Sequence, residues 1–249
     1  MRSYIDSGVV EKIRAAGGEV FAISSEPQHL ANQAHEHWGL NFDNIGDPHQ
    51  EIPRICDERD WLTLYVNRGD TEFLQRGADW KVEHPKGFFQ PGVLAVAQSG
   101  RILYRWRSVP SYANLNGTVA RPTAEHVWRS IDEALMAGAI SGDAAHDEHP
   151  EIDSSPPPRI VFMAALIANG WFFRAKSFAF SPGTESTPVR FKKAFRRWPP
   201  FVLLWVIGFV LLPQLWVLTG LAFWLIWIAI DIRVTWGRMD VQEEIKPSR

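Results

Sequence analysis

Few residues in this chain are placed to do chemistry. Its 249 residues include a single cysteine, Cys56, which leaves no partner for an intramolecular disulfide and no set for a multi-cysteine metal site. A thiol attacks as its thiolate, and a thiolate needs a cationic neighbour or a helix N-terminus. Cys56 follows the run DPHQEIPRI, downstream of a helix and with no such terminus evident. It reads as a small apolar residue on a short helix, with a resolving or regulatory thiol as the alternative. His29, His35 and His37 sit close in sequence, but on a helix His35 and His37 point away from each other. His84, His126, His146 and His149 are scattered. No metal site and no cofactor is therefore expected. Asp43, Asp47, Asp57, Glu58 and Asp60 read as a solvated acidic face rather than an acid/base pair. The chain has no glycine-rich phosphate loop and no G-x-S-x-G elbow. Asn116 opens an N-G-T triplet, formally a glycosylation acceptor, which a domain on the cytosolic side would never present to the machinery.

The elements around these residues follow from periodicity. Ile5, Val9 and Ile13 recur every four residues over 4–16, which predicts an amphipathic helix ended by Gly17-Gly18. The apolar run 19–24 predicts a strand covered on both faces, as in a parallel sheet. Ser25 is expected to cap a second helix with Pro27 in its first turn and Leu30, Ala34 and Trp38 inward. The stretch 41–59 reads as polar loop with a short helix near 52–56. The alternation of Leu62, Leu64 and Val66 predicts a strand over 61–67. After an irregular stretch, 68–89, a hairpin is expected from strand 93–97, the Ser99-Gly100 turn and Ile102, Tyr104 and Trp106. The stretch 114–122 reads as a loop. Thr123 caps a last helix with Val127, Ile131 and Leu135 at spacing four, closed by Gly138.

Beyond residue 140 the composition changes. SGDAAHDEHPEIDSSPPP, residues 141–158, is acidic and rich in Ser and Pro and reads as a linker. RIVFMAALIANGWFF then predicts an interfacial or packed helix, too short for an easy crossing. Residues 201–230 carry no charge, which a soluble surface would not tolerate. Pro213 falls in the middle, and cations flank both ends: Arg190, Lys192, Lys193, Arg196 and Arg197 before it, Arg233 and Arg238 after it. Two short helices turning at Pro213, with both ends on the cytoplasmic side, fit best. A single span near 215–232 is the alternative. The organisation expected is a domain at 1–140, a linker at 141–158, an interfacial or packed segment with a basic cluster at 159–197, a transmembrane hairpin at 198–236 and a polar tail at 237–249. The first twenty residues carry charges throughout, so no secretory leader is expected. A net charge of −2 points away from nucleic acid, and the cluster RFKKAFRRW reads as attraction to anionic lipid, making membrane lipid the expected partner.

The order helix, strand, helix, strand, hairpin, helix matches an α/β thioredoxin-like sheet with its first strand absent. The local text sharpens this. IRAAGGEVFAISSEPQHLANQAHEHWGLNFDNIGDP, HPKGFFQPGVLAVAQSGRILYRW and NLNGTVARPTAEHVWRSIDEAL resemble, over 1–138, the peroxiredoxin-like proteins of the alkyl hydroperoxide reductase/thiol-specific antioxidant superfamily. That resemblance implies thiol-dependent peroxide or disulfide reduction, a thiol electron donor or other protein partner, and a nucleophilic cysteine ahead of the first helix. The chain begins just past that place, so it is expected to lack the first strand and its cysteine and, as written, to be inactive. The resemblance also implies a substrate-binding role for Gln90 and Pro91, the proline exposing a backbone edge; an ordinary loop proline is the alternative reading. A non-catalytic thioredoxin-fold module tethered to a membrane is the second function expected of the sequence.

Overall fold

The computed structural model describes residues 2–69, 81–111, 121–138, 141–152, 157–178, 187–240 and 242–244. Residues 114–120 of the expected loop 114–122, with Asn116, and residues 70–80 of the stretch 68–89 lie outside the described residues. Contacts divide the chain into two units. The first is Met1–Gly69, Glu83–Pro156 and Val241–Arg249; the second is Asp70–Val82 and Pro157–Asp240.

In the first unit, the single opening helix expected at 4–16 is two: α1 (Arg2–Asp6) and α2 (Val9–Ala15). Gly8 separates them in the left-handed region, φ 68°, where glycine pays no steric penalty. The break lets both Val9 and Val10 turn inward, and Val10 packs with Leu40 and Phe42. Strand β1 (Phe21–Ser24) pairs in parallel with β2 (Asp43–Gly46), Phe21 opposite Asp43 and Ser24 opposite Gly46. The parallel pairing agrees with the sequence reading. Coverage on both faces does not, because Phe21 is 55% exposed and Ile23 39%. Strand β2 lies in what read as a polar loop. Its apolar signal is weak, and a side chain supplies part of its pairing. Gln28 opens α3 (Gln28–Trp38). Its amide nitrogen donates to the Asn44 carbonyl (2.9 Å) and its amide oxygen accepts the Gly46 N–H (2.8 Å). The primary amide thus stands in for a peptide group of a further strand and closes that edge.

Helix α3 starts after Pro27 without a side-chain cap; Ser25, expected to cap it, spends its hydroxyl elsewhere. Helix α4 (Glu51–Glu58) is longer than the short helix expected. The strand expected at 61–67 shortens to β3 (Tyr65–Asn67), which pairs antiparallel with β4 (Phe88–Phe89) on one side and β7 (Gln242–Glu244) on the other. The polar tail therefore includes a strand. Strands β5 (Gly92–Val96) and β6 (Ile102–Arg107) form the expected hairpin, with a bulge near Ala95. Helix α5 (Ala124–Met136) is capped as expected, the Thr123 hydroxyl accepting the His126 N–H at 3.1 Å. Val127 and Ile131 pack with Leu103, Tyr104 and Trp106, whereas Leu135 is exposed. Among the described residues the architecture is mixed α/β with three small sheets, β1–β2, β4–β3–β7 and β5–β6. No described strand joins them into the single thioredoxin-like sheet that the sequence suggested.

The linker is also corrected in part. Its first residues line β6: Ala144 N–H donates to the Ile102 carbonyl (3.0 Å), Asp147 N–H to the Arg105 carbonyl (2.9 Å), and the Ile102 N–H to the Asp143 carboxylate (2.8 Å). A polar segment cannot fill a core, but it can satisfy an open strand edge, and this one does.

The second unit holds α6 (Arg159–Asn169), α7 (Thr187–Phe195), α8 (Trp198–Leu211) and α9 (Gln214–Asp240). Helix α6 is packed: Met163, Ala165, Leu166, Ile167 and Ala168 are buried. Pro213 separates α8 from α9 as expected, since proline cannot continue the hydrogen-bond ladder; α9 runs past the expected end at 236. The segments Val189–Leu211 and Gln214–Arg238 are long and apolar enough to cross a membrane.

Gly46 gives a direct test of the β2–α3 junction. A Cβ there would lie 2.6 Å from the backbone N of Gln28 and the backbone O of Glu26, and backbone cannot yield as a side chain tip can. Gly46→Ala should lower the thermal midpoint by several degrees, about the shift that ~1 kcal/mol produces in a domain of this size. Gly142→Ala, where a Cβ meets nothing within 4 Å, should leave it unchanged; calorimetry of both variants checks the pair.

Candidate functional site

Polar groups gather where the parallel strands β1 and β2 end. Ser25 follows β1 and is buried. Its Oγ lies 2.9 Å from His84 Nδ1 and accepts the Phe89 N–H at 3.2 Å. The hydroxyl donates to Nδ1 when the ring carries its proton on Nε2, and accepts from it in the other tautomer. Burial holds His84 down at about 4, against a smaller upward pull from the Ser25 backbone, so the ring is neutral near pH 7. The pair has the composition of a nucleophile and a base. Its hydroxyl, however, is enclosed and spanned between ring and amide, and it acts as a clasp from the end of β1 to β4.

Gln90, one of the two residues expected to bind substrate, lies beside this clasp. Its backbone N–H donates to the Tyr65 carbonyl at 2.8 Å. Its side chain is 1% exposed, and neither its amide oxygen nor its amide nitrogen has a partner among the described residues. An unmet buried polar atom costs about 1–3 kcal/mol, so this amide stands out as a donor–acceptor pair that is not spent. Pro91 is the other expected residue. Its peptide bond from Gln90 is trans. It has no N–H to offer, and its carbonyl accepts the Ser108 N–H at 2.8 Å.

Cys56 is the sixth residue of α4, near the C-terminal end, where the helix dipole is negative and disfavours a thiolate. Burial pushes its thiol up, offset in part by Arg59. The acidic stretch is not one solvated face. Asp47 is buried and accepts the N–H groups of Glu51 (2.9 Å) and Ile52 (2.8 Å), fixing the start of α4. Asp57 accepts the Thr63 hydroxyl. His29, His35 and His37 all fall on α3, and no group of three ligating side chains able to hold a metal ion occurs among the described residues.

A second polar cluster was not legible at all. Asp147 Oδ2 lies 2.7 Å from His126 Nε2 and accepts the Tyr104 hydroxyl at 2.9 Å. Burial pushes the Asp147 carboxyl up, but hydrogen bonds from His126, Tyr104 and the His149 amide outweigh it and hold it below its usual value. Tyr104 and His126 come from β6 and α5, and Asp147 from the supposed linker, so only the folded chain unites them. The cluster locks that segment to the hairpin.

In the second unit the notable feature is a lack of polarity. Residues 198–230 contain no charged side chain, and most large apolar residues of α8 and α9 point outward; Val210, Leu215 and Trp216 are 76, 75 and 73% exposed. The base of this hairpin is polar. Arg197 donates to the carbonyls of Ala168 (2.9 Å) and Asn169 (3.1 Å) and covers the Trp171 ring at 4.0 Å. Asp231 accepts the Ala175 N–H. Trp224 and Trp227 donate their indole N–H groups to the carbonyls of Phe172 (2.8 Å) and Phe173 (2.6 Å).

No protein-family model, curated protein or solved structure matches this chain.

Glu26, in the turn after β1, supplies a pH test of the polar cluster. Burial, and then the nearby Glu83, raise its carboxyl to about 7, against ~4.3 for an unfolded glutamate. The native state therefore holds the proton more tightly. Its contribution is full below the unfolded value and is lost as pH rises through the folded one. Glu26→Gln should match the parent chain's melting temperature near about pH 4 and exceed it by about pH 8. Parallel curves across that range would show that Glu26 is solvated.

Proposed function

We propose that this chain is a membrane-attached α/β binding module, held at the bilayer by the α8–α9 hairpin. The uncharged, outward-facing apolar surface of 198–230 carries the reading, because a contiguous patch of this extent marks an interaction with membrane or protein. Cations at both ends of the hairpin favour anionic headgroups and the cytoplasmic face. The first unit is proposed to bind rather than to catalyse. The unspent amide of Gln90 supports a binding role, and the parallel β1–β2 pair, the β5–β6 hairpin and the terminal α5 support a thioredoxin-like origin. Thiol-dependent peroxide or disulfide reduction rests on the resemblance of 1–138 alone and draws no support from Cys56, whose thiol is held in its protonated form.

Membrane attachment is tested by fractionation. The full chain should pellet with membranes and stay there through alkaline carbonate, while a chain ending at Pro158 should remain in the supernatant. Release of the full chain by carbonate would remove the anchor from the reading.

A further inference from the structure

The two arms of the hairpin are antiparallel and in step. A Cβ on Gly208 would lie 3.7 Å from Val217, and one on Gly220 would lie 3.8 Å from Trp205. The rings of Phe201 and Trp224 are 5.0 Å apart between centroids. Each of these pairs is equidistant in sequence from the Leu212–Pro213 bond. Continued to the base, the same register sets Trp198, the residue after Arg197 on the first arm, level with Trp227.

This register fixes the depth available. From Trp198 to Leu212 an α-helix rises ~21 Å at ~1.5 Å per residue, and a hydrocarbon core is ~30 Å thick. To make up the difference, each arm would have to draw in about six more residues. On the first arm these include Lys192, Lys193, Arg196 and Arg197, and on the second Asp231 and Arg233. Charged side chains at membrane depth are rare unless they are paired or face a cavity, and Lys192, Arg196 and Arg233 are exposed. The base is also pinned in place by Arg197 on the Ala168 and Asn169 carbonyls and by Asp231 on the Ala175 N–H. At the other end the tip is apolar. Leu211, Leu212, Leu215 and Trp216 are exposed, and Gln214 is the one amide among them. Nothing there suits a far layer of headgroups. Tryptophans at 198, 205, 216, 224 and 227 occupy several depths, so Trp216 does not mark a second interface.

We infer that the hairpin is monotopic: it enters the bilayer from one side, turns at Pro213 inside the hydrocarbon and does not cross. The lipid surface it meets is anionic on the entry side. Lys192, Lys193 and Arg196 stand at the headgroup level, with exposed Trp171 and Phe173 as aromatic anchors beside them. The inference rests on the proposed membrane attachment and adds depth and sidedness to it.

The full-length chain carrying Cys56→Ser is given one new cysteine, at the tip (Gln214→Cys) or at the base (Arg196→Cys). It is added to preformed vesicles of phosphatidylcholine and phosphatidylglycerol, floated on a density gradient and exposed to a membrane-impermeant maleimide, outside or sealed inside. The base cysteine should label from outside only. The tip cysteine should label from neither side, and at least an order of magnitude faster once detergent dissolves the bilayer. Labelling of the tip by the sealed reagent would overturn the monotopic hairpin and leave attachment intact. Labelling of the tip from outside on floated vesicles would overturn insertion itself. A chain that does not float would overturn both, through the attachment reading. Leu215→Cys repeats the tip measurement if Gln214→Cys folds poorly.

Discussion

An apolar stretch of thirty-three uncharged residues, 198–230, has to leave water, and the second unit is arranged around that constraint. Two antiparallel helices cover each other along only one line of contact, so pairing α8 with α9 hides little of their surface. Along the outer half of the hairpin Val217 is buried while its large neighbours Trp216 and Leu218 are exposed. Each large side chain left in water forfeits about 1.5–3 kcal/mol relative to full burial. A lipid environment recovers that for many residues at once, which no rearrangement of two helices could do.

What such a hairpin requires is a base that satisfies its polar backbone, and the loop after α6 provides it at a conformational cost. Trp171 and Phe172 both have positive φ, 55° and 64°, a region that costs bulky residues of order 1–3 kcal/mol each. The strain is held from several directions. Phe172 stacks on Phe201 with centroids 3.8 Å apart, and indole donors from α9 take the Phe172 and Phe173 carbonyls. Gly170 is needed at the same corner, because a Cβ would fall 1.7 Å from the Arg174 carbonyl oxygen. The chain thus aims two consecutive carbonyls at two tryptophans one helical turn apart, and Arg197 closes the exposed end of α6.

The two ends of the sequence were not equally legible. The hairpin could be read because its signal is local: absent charge, a central proline and flanking cations need no knowledge of the fold. The β5–β6 turn and the Thr123 cap were local in the same way. What could not be read depends on partners distant in sequence. The strand Asp43–Gly46 exists through β1 and the Gln28 amide, and the role of Asp147 exists through Tyr104 and His126. The α1–α2 break came from a glycine whose helical neighbours outvoted it in any periodicity count. Gln90 was singled out through a resemblance, and its unmet amide is a property of burial that no spacing encodes.

The first unit solves a problem its strands create. Sheets of two or three short strands expose many backbone edges, and each edge is a template for unwanted pairing. Three of them are closed by something other than a neighbouring long strand. Gln28 lends its amide to β2, the acidic segment lends Asp143, Ala144 and Asp147 to β6, and the three residues of β7 cover β3. Such closures are inexpensive in sequence because polar residues suffice, which explains how a segment too acidic and proline-rich to fill a core still belongs to the fold. The outer edge of β1 has no strand beside it among the described residues, and Phe21 and Ile23 remain exposed there. The same logic that makes 143–147 structural leaves β1 as an edge without such a closure among the described residues.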